Sequence, residues 1–167
     1  MRHVFTPERL VLARQRRRMT LSALAKKSSV SAQSITAFEN GRKQPSEDSL
    51  ASLADALRYP PAFFCRPAPV ELTPDAVSFR APSKMTALER DSALSSGTIA
   101  ADLNMWLEER FKLPEPSLPT FPHRSPTEAA AQVRAAWGLG EAPVVNMVHL
   151  LESKGPGLLP RARLPGR

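Results

Sequence analysis

The chain has 167 residues, enough for one core and part of a second, with a formal charge of +7 and a pI near 10.3. Its single cysteine, Cys65, excludes an intramolecular disulfide framework and any cysteine-based zinc site. No apolar run is long enough to span a membrane and no signal-peptide core opens the sequence, so a cytoplasmic protein is expected.

The charge is unevenly spread. Residues 1–64 hold 11 Lys/Arg against 5 Asp/Glu, a net of +6, and the last 13 residues add +3. Residues 65–154 hold 9 against 11, a net of −2. The basic character therefore belongs to the N-terminal segment and the tail, and it suggests a polyanion partner.

Residues 1–64 read as a run of short helices. Thr6-Pro7-Glu8 supplies a cap, a proline for the first helical position and an acid for the first turn. That helix should run to about Arg18, with Leu10, Val11 and Arg14 inward and Arg16, Arg17 and Arg18 at its C-terminal end, where cations suit the dipole. Thr20 caps a second helix carrying Leu21, Leu24 and Ala25, and Lys26-Lys27-Ser28-Ser29 should form a tight turn. Ser31 caps a third helix that reaches Asn40, with Ile35 and Phe38 as its apolar pair and Gly41 as its stop. Ser46 caps a fourth, whose stripe is Leu50, Leu53, Ala54 and Leu57. Pro60-Pro61 then starts one last turn carrying Phe63 and Phe64.

The remainder is of different character. Residues 65–84 are proline-rich and should form an extended linker, with Ala76-Val77-Ser78-Phe79 a weak strand candidate. Residues 85–112 predict a long helix with an apolar stripe of Ile99, Leu103, Trp106, Leu107 and Phe111, bent if anywhere at Ser95-Ser96-Gly97. Prolines 114, 116, 119, 122 and 126 suggest a stiff linker. Further helices are expected over 127–137 and 143–153, closing a helical segment at 85–154, and Trp106 and Trp137 read as core anchors. The last 13 residues, 155–167, combine Gly, Pro and Arg without periodicity and should be a disordered tail.

Two short helices separated by a tight turn match the helix-turn-helix pattern. Ala25 must be small where the third helix crosses it, and Leu24, Val30, Ile35 and Phe38 fill the wedge between the two helices. The outer face of the third helix holds Ala32, Gln33, Ser34, Thr36 and Ala37, and no charge precedes Glu39. A helix entering a DNA major groove has that composition: no acids among flanking phosphates, short residues for close approach, and an amide that can bond a base edge. Ala32, Gln33, Ser34 and Thr36 are therefore the candidate base contacts, and Arg16, Arg17, Arg18, Arg42 and Lys43 the candidate phosphate contacts.

Over residues 6–64 the sequence resembles the Cro/XRE family of DNA-binding domains, through Arg14, Leu24-Ala25, Val30-Ser31, Ser34-Ile35, Glu39-Asn40-Gly41 and Pro45. The resemblance implies an all-α, five-helix lambda-repressor-like domain at residues 1–64, followed by a partial, mostly helical segment. It also implies base contacts from Gln33 and Ser34, phosphate contacts from Asn40 and Arg42, with Ser31 beside them, and an Arg14–Glu39 pair tying the first helix to the third. Leu21 stands where relatives place a backbone-contacting Gln, Ala32 where some place a second amide, and Ser29 where the turn usually has Gly. The expected partner is a double-stranded DNA operator, bound by a homodimer formed through the 99–111 stripe, on the nucleoid.

Residues 76–154, with "VSFR", "EERFKLP" and "PTEAAAQVRAAWGLG", are similar to regulators fused to ImmA/IrrE-type metallopeptidase domains. Their HExxH motif would lie further downstream, so the Gly/Pro/Arg end is read as a truncation. His149 and Glu152 sit one turn apart without the second His that a zincin helix requires, and His3 and His123 are isolated. Neither a catalytic residue, a metal site nor a cofactor is expected. An antitoxin-like regulator with a protein partner is the alternative.

Overall fold

The computed structural model describes residues 4–70, 72, 85–112, 119–122 and 124–154. Among the described residues it is all-α: α1 (Pro7–Arg16), α2 (Leu21–Ser28), α3 (Ala32–Glu39), α4 (Glu47–Leu57), a 3₁₀ turn (Pro61–Cys65), α5 (Ala87–Glu108), α6 (Pro126–Ala136) and α7 (Met147–Ser153). The strand candidate at 76–79, the tail at 155–167 and most of both linkers lie outside the described residues. The chain forms two compact units, Met1–Asp102 and Leu103–Arg167.

In the N-terminal unit each helix start has a local cause. Pro7 and Glu8 open α1, but the Thr6 hydroxyl does not cap it. It donates to the Arg66 carbonyl at 2.7 Å while the Thr6 N–H donates to the Phe64 carbonyl at 2.8 Å, joining the start of α1 to the far end of the 3₁₀ turn. Thr20, Ser31 and Ser46 do cap, accepting from the N–H groups of Ala23, Ser34 and Ser49.

Helix ends account for two corrections. α1 stops at Arg16 rather than Arg18, because Arg18 takes a left-handed φ of 54°. The N–H of Met19 then reaches back to the Arg14 carbonyl and that of Arg18 to Gln15, a Schellman closure. α2 continues through Ser28, so Lys26, Lys27 and Ser28 belong to the helix rather than to the turn. Buried Ser28 donates to the Leu24 carbonyl and accepts from the Val30 N–H, which holds the turn shut. Ser29 is the left-handed residue, φ 58°, at a cost of about 1 kcal/mol relative to glycine. Gly41, φ 67°, ends α3 in the same way without that cost.

The core joins Phe5, Leu10, Ala13, Leu24, Ile35, Phe38, Leu53, Ala54, Ala56, Leu57 and Phe64, with Ala25, Val30 and Leu50 partly buried against it. α1 differs from its expected orientation: Arg9, Leu10, Leu12 and Ala13 are buried, whereas Val11 and Arg14 are half-buried. This helix is covered on two sides, by the core and by α5.

α5 is one continuous helix across Ser95-Ser96-Gly97, shorter at both ends than the expected 85–112. Its buried residues are Ser92, Ser95, Thr98, Ala101 and Asp102, a face of small and polar side chains rather than the apolar stripe. The Ser92 hydroxyl donates to the Arg16 carbonyl and that of Ser95 to Gln15 Oε1. Asp102 receives a buried ion pair from Arg9, whose Nε also donates to the Pro67 carbonyl at 2.8 Å. These bonds carry the N-terminal unit past residue 64 to Asp102.

The second unit contains the last turn of α5, α6 and α7. Ser125 and Glu128 form a reciprocal capping box that starts α6 at Pro126. Asn146 caps α7, which is why that helix begins at Met147 and not near Pro143. Arg134 donates to the carbonyls of Gly140 and Ala142, and Lys154 lies over the Trp137 ring at 5.7 Å. No described residue of this unit is buried. Trp106 and Trp137 are therefore not core anchors: Trp106 is exposed beneath the Arg110 guanidinium and Trp137 is half-buried.

Candidate nucleic-acid interface

α3 separates its residues cleanly into two faces. Ile35 and Phe38 are buried, Ala32, Ser34 and Ala37 are half-buried, and Gln33, Thr36 and Asn40 are exposed at i, i+3 and i+7. The Thr36 hydroxyl donates to the Ala32 carbonyl, and the Ser31 hydroxyl donates to Ser34 Oγ while accepting from the Ser34 N–H. Gln33 and Asn40 make no side-chain bond within the described residues. Gln33 is thus an exposed, unengaged amide at the N-terminal end of α3.

Behind α3 stands Arg14. Its Nε donates to Glu39 Oε1 at 2.6 Å and its Nη2 to Glu39 Oε2 at 2.8 Å, a bidentate pair, while Nη1 donates to the Met19 carbonyl at 3.0 Å. The acid at the end of α3 is engaged from behind, which leaves no acid on the outer face. Beyond it, the N–H groups of Arg42 and Lys43 both donate to the Ala37 carbonyl, so both residues are anchored by backbone to the end of α3. Their side chains are exposed and make no bond within the described residues. Ser31, Asn40, Arg42 and Lys43 therefore lie at the two ends of the same helix.

The arginine run at the end of α1 is not joined to α3. Arg17 donates from Nε to the Leu57 carbonyl at 2.8 Å and from Nη2 to the Arg58 carbonyl, with its guanidinium 5.1 Å from the Tyr59 ring. It thereby supplies a cation to the C-terminus of α4, whose last turn has none of its own. Arg16 and Arg18 are exposed in a groove shared with Glu89, Ser92 and Ser96 of α5. The backbone N–H and hydroxyl of Thr86 hold the Glu89 carboxyl below its ordinary pKa, and the nearby Arg18 charge acts in the same direction.

Sequence reasoning missed Arg17 at α4, the Ser28 bracket and the Arg9–Asp102 pair. The first two are bonds to backbone carbonyls, which leave no mark in side-chain patterning. The third had a signal: Ser92, Ser95, Thr98 and Asp102 recur at helical spacing on one face of α5.

Residues 10–64 match the family model HTH_3, helix-turn-helix. No curated protein and no solved structure matches the chain. With α2, the Ser29 turn and α3 in place, residues 10–64 are a helix-turn-helix segment of the Cro/C1 type, a DNA-binding module. The match ends at residue 64 and lends no support to the expected kinship of residues 76–154 with metallopeptidase-fused regulators.

Proposed function

We propose that the chain is a sequence-specific transcriptional repressor that binds a duplex operator as a homodimer on the nucleoid. The observation that carries this reading is the one-sided α3, with Gln33, Thr36 and Asn40 outward, Glu39 engaged by Arg14, and unengaged Arg42 and Lys43 at its end. Gln33 reads a base, most directly adenine through N6 and N7, and Ala32, Ser34 and Thr36 make close contacts around it. Ser31, Asn40, Arg42 and Lys43 position the helix on phosphates, and Arg16 and Arg18 add positive charge, as does Arg17 from its place beside α4. The second copy is supplied by the α5 stripe: Leu103 is 58% exposed and Trp106 40%, beside half-buried Ile99 and Leu107.

Selection from a pool of random duplexes tests the reading. The expected product is a palindrome whose half-sites are centred about one helical turn apart, roughly 34–36 Å, or a multiple. An unenriched pool would refute sequence-specific binding, and an enriched single half-site would refute the dimer.

A further inference from the structure

α1 is bonded on two sides. Toward α3, Arg14 holds Glu39 through parallel bonds, and Leu10 and Ala13 share the core with Ile35 and Phe38. Toward α5, Arg9 forms its buried ion pair with Asp102. Gln15 Oε1 accepts from the Ser95 hydroxyl at 3.3 Å, and the Arg16 carbonyl accepts from that of Ser92 at 3.2 Å. Residue numbers fall along α1 as they rise along α5, so these two helices run antiparallel. The bonds at Ser92 and Asp102 lie about 15 Å apart along α5, at ~1.5 Å per residue. A helix held at two such points does not swing about either. Leu72 packs on α5 between them, where Gly97 leaves it room: a Cβ there would lie 2.8 Å from Leu72 Cδ1.

The chemistry of this joint specifies register as well as contact. An apolar face can slide by a turn and remain apolar. A slide here would strand the Arg9 guanidinium and the Asp102 carboxylate, whose side chains are 3% and 9% exposed, and buried charges left unpaired are strongly disfavoured. Although residues 65–84 separate α5 from the helix-turn-helix in sequence, these bonds fix it directly on α1. α5 is also unbroken from Ala87 to Glu108, so Ile99 and Leu103 of the apolar stripe share one helix with the residues bonded to α1.

We propose, resting on the dimer reading above, that the polar α1–α5 joint determines which operator spacing the protein accepts. Arg9 and Asp102 are then positioning residues: with α5 as the seat of the second copy, they fix the separation of the two α3 helices. The DNA partner is a pair of half-sites at one spacing rather than at any multiple of a turn. Each inserted base pair moves a half-site by about 3.4 Å and rotates it by about 35°. A head on a loose tether would follow that change, and a head bonded to α5 does not.

Binding titrations of the full chain test this on duplexes carrying two selected half-sites, at the selected spacing and with one, two or five base pairs added. A duplex with a single half-site serves as the control. Wild type should lose about tenfold or more in affinity with one added base pair, because the DNA must be twisted or bent to restore the fit. Asp102→Asn should remove most of that penalty while leaving affinity for the single half-site unchanged. Ser92→Ala with Ser95→Ala, which strands no charge, should reduce the penalty too and serves if Asp102→Asn does not fold. Wild type that binds every spacing equally, and each more tightly than the single half-site, would overturn the role of the joint alone. No gain over the single half-site at any spacing would overturn the dimer and this proposal with it. A folded variant of either kind that keeps the full wild-type penalty would overturn the assignment to these residues.

Discussion

Arg14 closes a triangle between α1, the loop after it and α3, through Glu39 and the Met19 carbonyl. Both partners are largely withdrawn from water, with side-chain exposures of 15% and 9%. Removing one charge leaves the other desolvated and unpaired, which costs about 3 kcal/mol. Glu39→Gln should therefore lower the melting temperature by roughly 15 °C for a unit of this size, measured by circular dichroism. An unchanged melting curve would show that the pair adds nothing to stability. A second residue-level test lies at Glu128, which accepts from the N–H and the hydroxyl of Ser125. Those two bonds hold its carboxyl below the ordinary value of 4.5. Because the folded pKa is depressed, the capping box supports α6 above the unfolded pKa. That support is lost as pH falls through the lower, folded value. Ser125→Ala should raise the Glu128 titration midpoint toward 4.5 in a carboxyl NMR titration, and an unmoved midpoint would refute the assignment.

α3 and α5 show how differently two helices can be read from sequence. In α3 the cap, the apolar pair and the glycine stop all lie within the helix or beside it, so its bounds to within a residue and its buried pair were legible from residues 31–41, whereas Ala32, Ser34 and Ala37 are half-buried rather than outward. The Arg14 pairing was suggested by family resemblance and not by periodicity. In α5 only the apolar stripe of Ile99, Leu103 and Trp106, read as a surface for a second copy, was legible, whereas the face buried within the N-terminal unit is Ser92, Ser95, Thr98 and Asp102. The reason is chemical: the surface it meets on α1 is itself polar, offering a helix-end carbonyl, Gln15 and the buried Arg9. Hydrophobic patterning cannot see a face chosen by hydrogen bonding. The Arg9–Asp102 pair then gives a sharp test. Asp102→Asn strands a buried guanidinium and should cost about 3 kcal/mol, seen as a lower melting temperature. The double substitution Arg9→Met with Asp102→Leu should recover most of that loss, as replacement of buried ion pairs by apolar groups does. Failure of the double variant to recover would mean that Arg9 acts chiefly through its bond to the Pro67 carbonyl and its place 5.3 Å from the Phe63 ring, not through the charge pair.

At the scale of the whole molecule, positive charge, the helix-turn-helix and the exposed amide coincide in residues 1–64, whereas residues 65–154 are slightly acidic. Charge alone would give binding to any duplex, with strong salt dependence. In the proposed function α3 adds sequence discrimination to this. Binding titrations of wild type, Gln33→Ala and Arg42→Ala on the selected operator and on a random duplex, at two salt concentrations, address it directly. Gln33→Ala should lose about 1–3 kcal/mol on the operator and little on random DNA. Arg42→Ala should weaken both duplexes alike and flatten the salt dependence by about one phosphate contact. Equal losses on the two duplexes for Gln33→Ala would contradict the account, because α3 would then not read sequence.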